Sequence, residues 1–249
     1  MPNWCYQTLM VIGDSEEVNR FHEAIKDNHN DEEMEHSRNH EYSLNQLYPC
    51  PQELAETSAG FYSAEPNENW AKLLANGELT QERYDELVKN NADGYAKDQE
   101  MLAKYGYKNW YDWQCANYGT KWGATSVYLD SEHDNSKTYK FDSAWSPADG
   151  LICRISQQFP KLVFSLHYTE ESDAFAGGCV IIDGQIVAES DTPCDHDEMV
   201  SEHEIGSDKW YDDYMEWNTK LRDSVLESQL AMVDSVLDNL DYYKEEQAL

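Results

Sequence analysis

Carboxylates, imidazoles, thiols and aromatic rings are the groups in this chain that could do chemistry, and their spacing excludes most of what they could do. Imidazole and thiolate suit zinc, and two polar stretches concentrate them. His29, His36 and His40 stand beside Glu32, Glu33 and Glu35, and Cys194, His196 and His203 beside Asp195 and Asp197. Neither set has the ligand spacing of a known zinc motif, and polar loops ordinarily carry solvated histidines. No metal and no cofactor is expected. The six cysteines, at positions 5, 50, 115, 153, 179 and 194, form no C-x-x-C pair and read as reduced core thiols. The phosphate-loop, dinucleotide, nucleophile-elbow and zincin patterns are all absent. Paired carboxylates occur everywhere, so they say nothing about acid–base catalysis. A non-enzymatic protein is expected, with no catalytic residue to name.

Aromatics interleaved with cations form one block. Lys108, Trp110, Tyr111, Trp113, Lys121 and Trp122, within 104–122, could stack exposed bases and meet phosphates. The competing role is packing of a helical segment onto a sheet, with polar ring edges reaching partners. The charge of the whole chain favours packing: 49 acidic against 18 basic residues give a formal −31. A field of that sign repels phosphate backbones and attracts basic partners. Direct nucleic-acid binding through the block is therefore the alternative reading.

The acids are concentrated in the tail. From Glu189 to Leu249 there are 18 acidic and 4 basic residues, a net −14 in under a quarter of the length. A long helix is predicted from about Asp208, with Leu226, Leu230, Val233, Leu237 and Leu240 as its apolar seam. That seam is too short to argue a coiled coil, so docking on the body is expected. Asp223, Glu227, Asp234, Asp238, Asp241 and Glu245 fall one residue beyond it, on a stripe about 100° around the helix. Their steps of roughly 4.5 to 10 Å are too sparse to copy a duplex strand alone, which places a charge about every 3.4 Å. Together with Asp195, Asp197, Glu198, Glu202, Glu204, Asp212, Asp213 and Glu216 they could present an anionic ridge to a surface that normally binds DNA.

The elements that must hold these groups can be read from period and punctuation. Residues 4–12 are β-rich and end at Gly13-Asp14, where Asp14 and Glu17 resemble a capping box before a helix carrying Val18, Phe21 and Ile25. A polar loop follows at 29–42. Residues 67–118 read as three or four short helices, with a run around Tyr84–Val88 opened by Leu79-Thr80 and another near 93–105 ended by Gly106. Strands at 123–130 and 137–144 make a hairpin. Ser146-Pro147 signals a helix start ahead of Leu151, Ile152, Ile155 and Phe159, and a strand follows at 161–168. A second hairpin turns at Asp183-Gly184.

Without the insert the order is β-α-β-β-α-β, which predicts an α+β ferredoxin-like antiparallel sheet with helices on one face. The expected division is a body of 1–28 and 119–188, a loop and helical insertion at 29–118, and an acidic loop and C-terminal helix at 189–249. No apolar run approaches a membrane span, and the opening MPNWC lacks a secretory signal's basic and apolar regions. A cytoplasmic protein with no membrane partner is expected.

Four blocks in order, MPNWC at 1–5, LYPCPQEL at 47–54, NWYDWQCANYGTKWGA at 109–124 and FDSAWSP at 141–147, resemble the phage- and plasmid-borne Api92-like proteins. The resemblance spans about residues 1–180. It implies a ferredoxin-like domain and a mobile-element origin, and it supplies no catalytic residues. Charge and resemblance together lead to an expectation: an accessory protein that inhibits a basic, nucleic-acid-binding host defence or restriction protein by DNA mimicry.

Overall fold

The computed structural model describes residues 2–27, 41–171, 175–193 and 201–240. The chain forms two compact units, Met1–Pro49 with Asn117–Leu249, and Cys50–Ala116.

The first unit is built on six antiparallel strands: β1 (Trp4–Ile12), β2 (Lys121–His133), β3 (Ser136–Ala144), β4 (Val163–Glu170), β5 (Phe175–Ile182) and β6 (Gln185–Pro193), in the spatial order β2-β3-β1-β4-β5-β6. Strands β1 to β4 have the ferredoxin-like order, and the β5–β6 hairpin extends the β4 edge. Alternation decides which face each side chain takes. Cys5, Gln7, Leu9 and Val11 are buried on one side of β1, while Tyr6 on the other is 46% exposed.

Helices α1 (Ser15–Ile25) and α6 (Asp149–Ser156) cover that buried side. Phe21 of α1 meets Tyr139, Phe159 and Phe164 edge-on at 5.8, 5.2 and 5.5 Å, a geometry that suits the ring quadrupoles. Leu151, Ile152 and Ile155 of α6 are wholly buried, so the predicted apolar face is the one used. The start of α6 differs from expectation. Ala148 occupies the cap with no side-chain bond, because Ser146 Oγ donates to Gly119 O instead. In α1 Asp14 does cap, accepting from Glu16 N, while Glu17 pairs with Arg20 rather than closing a capping box. Strands β2 and β3 run further than predicted and turn at Asp134-Asn135. Asp183 and Gly184 at the tip of the second hairpin have φ of 45° and 84°, the left-handed pair that a two-residue turn needs.

The other unit contains α2 (Gln52–Ala55), α3 (Glu68–Ala75), α4 (Gln81–Tyr105) and most of α5 (Trp110–Tyr118). The two predicted runs around Tyr84–Val88 and 93–105 merge into α4, one helix of 25 residues. Gly94 does not break it, because the Tyr62 ring packs where a Cβ would stand. Thr80 caps its start and Gly106, at φ 79°, ends it, as the sequence predicts. Asn91 accepts from Ser63 N and donates to Ser63 O, at 3.1 and 2.7 Å, tying the preceding segment to this helix.

Candidate functional site

The long C-terminal helix, α7 (Asp208–Asp238), lies on the sheet face opposite α1 and α6. Val233 and Val236 cluster with Val163 of β4 and Val180 and Ile182 of β5, with Met232, Leu237 and Leu240 packed beside them. Val225 meets Ala176, with Leu221 alongside.

The predicted seam needs correction. Leu226 and Leu230 are 43% and 46% exposed, and the residues facing the sheet are Asn218, Val225, Gln229, Val233 and Val236. Gln229 is the reason. Its Nε2 donates to Ser165 Oγ at 2.9 Å, Cys179 O at 3.2 Å and Leu166 O at 3.3 Å, over Gly178. Three acceptors for one amide group let a polar side chain occupy a contact that an apolarity-based reading gives to leucine.

This rotation turns the acids away from the sheet. Asp212, Glu216, Asp223, Glu227, Asp234 and Asp238 are all exposed and fall within an arc of about 80° over a rise of about 39 Å. They follow an eleven-residue rule rather than a heptad. DDYME at 212–216, DSVLE at 223–227 and DSVLD at 234–238 repeat at eleven-residue intervals. Eleven residues are about three turns, so the stripe drifts little around a straight helix. In each copy Tyr214, Val225 or Val236 faces the sheet side, with Val225 and Val236 buried. Met215, Leu226 or Leu237 falls between two carboxylates in sequence and beside their stripe on the helix.

The helix start adds a recess of about 430 Å³ lined by Glu202, His203, Asp213, Glu216, Trp217 and Lys220. Ser207 caps the helix by accepting from Trp210 N, and Trp210 stacks on Tyr214 at 5.6 Å and 11°. Ser201 Oγ donates to Asp213 at 2.7 Å, holding the preceding turn against the first turns of the helix. Glu202 and Glu204 are exposed on that turn, whereas Asp213 is half-buried. Asp195, Asp197, Glu198, Asp241 and Glu245 of the expected ridge lie outside the described residues, as do Cys194, His196, His29, His36 and His40.

The residues of the aromatic block are divided between the two units. Lys108, Trp110, Tyr111 and Trp113 belong to the Cys50–Ala116 unit, and Lys121 and Trp122 to the sheet unit. Trp113 is 7% exposed, so it packs, while Tyr111 is 43% exposed. Lys121 Nζ sits 3.8 Å over the Trp122 ring, which itself lies 6.5 Å from Trp4.

Among the described residues no cysteine is in a disulfide, and no group of three or more His, Cys, Asp or Glu is placed to hold a metal ion. Burial pushes the Cys5 thiol up to about 12 and those of Cys50 and Cys153 to about 11, far from the range of a reactive thiolate.

Fold and surface together define a ferredoxin-like α+β protein with an acidic helix docked on its second sheet face. Residues 121–212 match the family model described as the ferredoxin-like domain in Api92-like protein, so this segment carries the ferredoxin-like domain of the Api92-like family. The match runs through β6 into the first turn of α7, further along the tail than the four sequence blocks reach. The crystal structure of a protein api92 from Yersinia pseudotuberculosis is similar with a TM-score of 0.41 and 13% identity, over 78% of this chain and 99% of that one. No curated protein matches the chain. No helix among the described residues is long and apolar enough to cross a membrane.

Proposed function

We propose that this chain is a non-enzymatic accessory protein of a phage or plasmid that works inside the host cell. It occupies a basic, nucleic-acid-binding host defence or restriction protein, presenting carboxylates where that protein expects phosphates. The observation that supports this reading is the single-sided exposure of six acids on a helix that the sheet holds still. Fixing the helix before the encounter removes an ordering cost from binding. The surrounding negative field would speed encounter with a cationic partner and slow encounter with nucleic acid.

A pull-down from host lysate at about 0.05 M and about 0.5 M salt tests it, using the full chain and a variant with the six acids changed to Asn or Gln. The reading predicts a DNA-binding protein captured at low salt, lost at high salt and not captured by the variant. Capture that is indifferent to the six substitutions would contradict it.

A further inference from the structure

The apolar side chains that α7 leaves partly open to solvent are not scattered. Tyr211, Met215, Leu226 and Leu230 are 55, 60, 43 and 46% exposed and fall within about 100° of arc around the helix. Met215 and Leu226 hold the same place in successive eleven-residue copies, three residues after one carboxylate and one residue before another. Single exposed apolar residues are ordinary, but a strip of them rimmed by charge is the composition of an interaction surface.

We infer that this side of α7 is the contact surface for a basic amphipathic helix. The partner's apolar residues cover Met215, Leu226 and Leu230, and its Lys or Arg side chains meet the carboxylate pairs Asp212/Glu216, Asp223/Glu227 and Asp234/Asp238. The sign of the partner's charge rests on the proposed function, while the apolar strip is an independent observation.

Charge complementarity selects this occupant. A second copy of the chain would bring two sets of six carboxylates against one strip, with only Lys209, Lys220 and Arg222 on each helix to offset them. Duplex DNA would meet the same repulsion. A helix suits the strip because the copies recur every 16.5 Å or so, about three turns, a period that one straight helix can match along its length. The Glu216–Lys220 pair, at 2.7 Å with both side chains at least 70% exposed, is weak and can be exchanged for an intermolecular one.

The probe is a helical Leu/Lys/Ala peptide with its leucines on one face at eleven-residue spacing, compared with a scrambled peptide of identical composition, both titrated against the full chain. The ordered peptide is expected to bind roughly tenfold or more tightly than the scrambled one, the scale of burying a few apolar side chains. Leu226→Ser with Leu230→Ser should erase that preference, leave the scrambled peptide's affinity unchanged, and lower the melting temperature by only a few degrees, because both positions are partly exposed and the cost is mainly helix propensity. Changing Glu227 and Asp234 to Lys should weaken both peptides. Equal binding of the two peptides by the wild-type chain, or a preference that survives the serine variant, overturns the inference. So does a dimer at high salt that the serine substitutions dissolve, since the strip would then be covered by a second copy. Charge reversal without effect on either peptide also overturns it, since the partner's cations would then not meet these carboxylates.

Discussion

His167 and Gln229 sit where α7 meets the sheet, and each leaves one buried polar atom, Nε2 and Oε1, without a hydrogen-bond partner among the described residues. Burial lowers the pKa of His167, and Arg222 nearby adds to the effect. Burial also lowers that of His22, with Lys137 and Lys26 contributing. A histidine whose folded value lies below its unfolded value of about 6.5 is bound by more protons in the unfolded chain. Its stabilising contribution is complete above that pH and is lost as pH falls from there toward the folded value. The urea midpoint should therefore fall between about pH 7 and pH 5.5, before the carboxylates titrate. His167→Gln should flatten that slope, and a midpoint constant across the window would contradict this assignment. Neither role was legible in the sequence, where His167 is one polar residue in KLVFSLHY, and only the packing of α7 over β4 buries it.

At the scale of elements the sequence was read well where one face had one job. Asp14, Thr80 and Gly106 punctuate their helices as predicted, and Leu151, Ile152 and Ile155 line α6. It was read badly where a long-range contact replaced a local rule: Tyr62 against Gly94 joins two predicted helices into one, and Gln229 over Gly178 rotates the seam of α7. The second case makes a prediction. A Cβ at residue 178 would overlap the Gln229 carboxamide, whose Nε2 is held by three acceptors. Gly178→Ala should cost about 1–3 kcal/mol. It should speed amide exchange in Asp208–Asp238 while β1 and β3 stay protected, and pairing it with Gln229→Ala should recover part of the loss. Unchanged exchange in α7 would show that the helix does not depend on this contact.

Across the whole molecule, the ferredoxin-like order β2-β3-β1-β4 was legible because alternation and hairpin turns are local signals. The excess of acid was legible as composition, and the stripe of Asp223, Glu227, Asp234 and Asp238 as spacing. Whether that stripe faces solvent depends on how α7 is rotated against the sheet, and its eleven-residue repeat extends it to Asp212 and Glu216. The central claim is that placement on α7, not net charge, makes the surface. Displacement of a labelled DNA duplex from a basic DNA-binding protein tests this directly, using two variants of equal net charge. One has Asp212, Glu216, Asp223, Glu227, Asp234 and Asp238 neutralised. The other has Glu65, Glu68, Glu78, Glu82, Asp85 and Asp93 neutralised, all exposed in the Cys50–Ala116 unit. The account predicts that the first loses about tenfold or more in potency and has a shallower salt dependence, while the second stays close to wild type. Equal losses in both variants would contradict it.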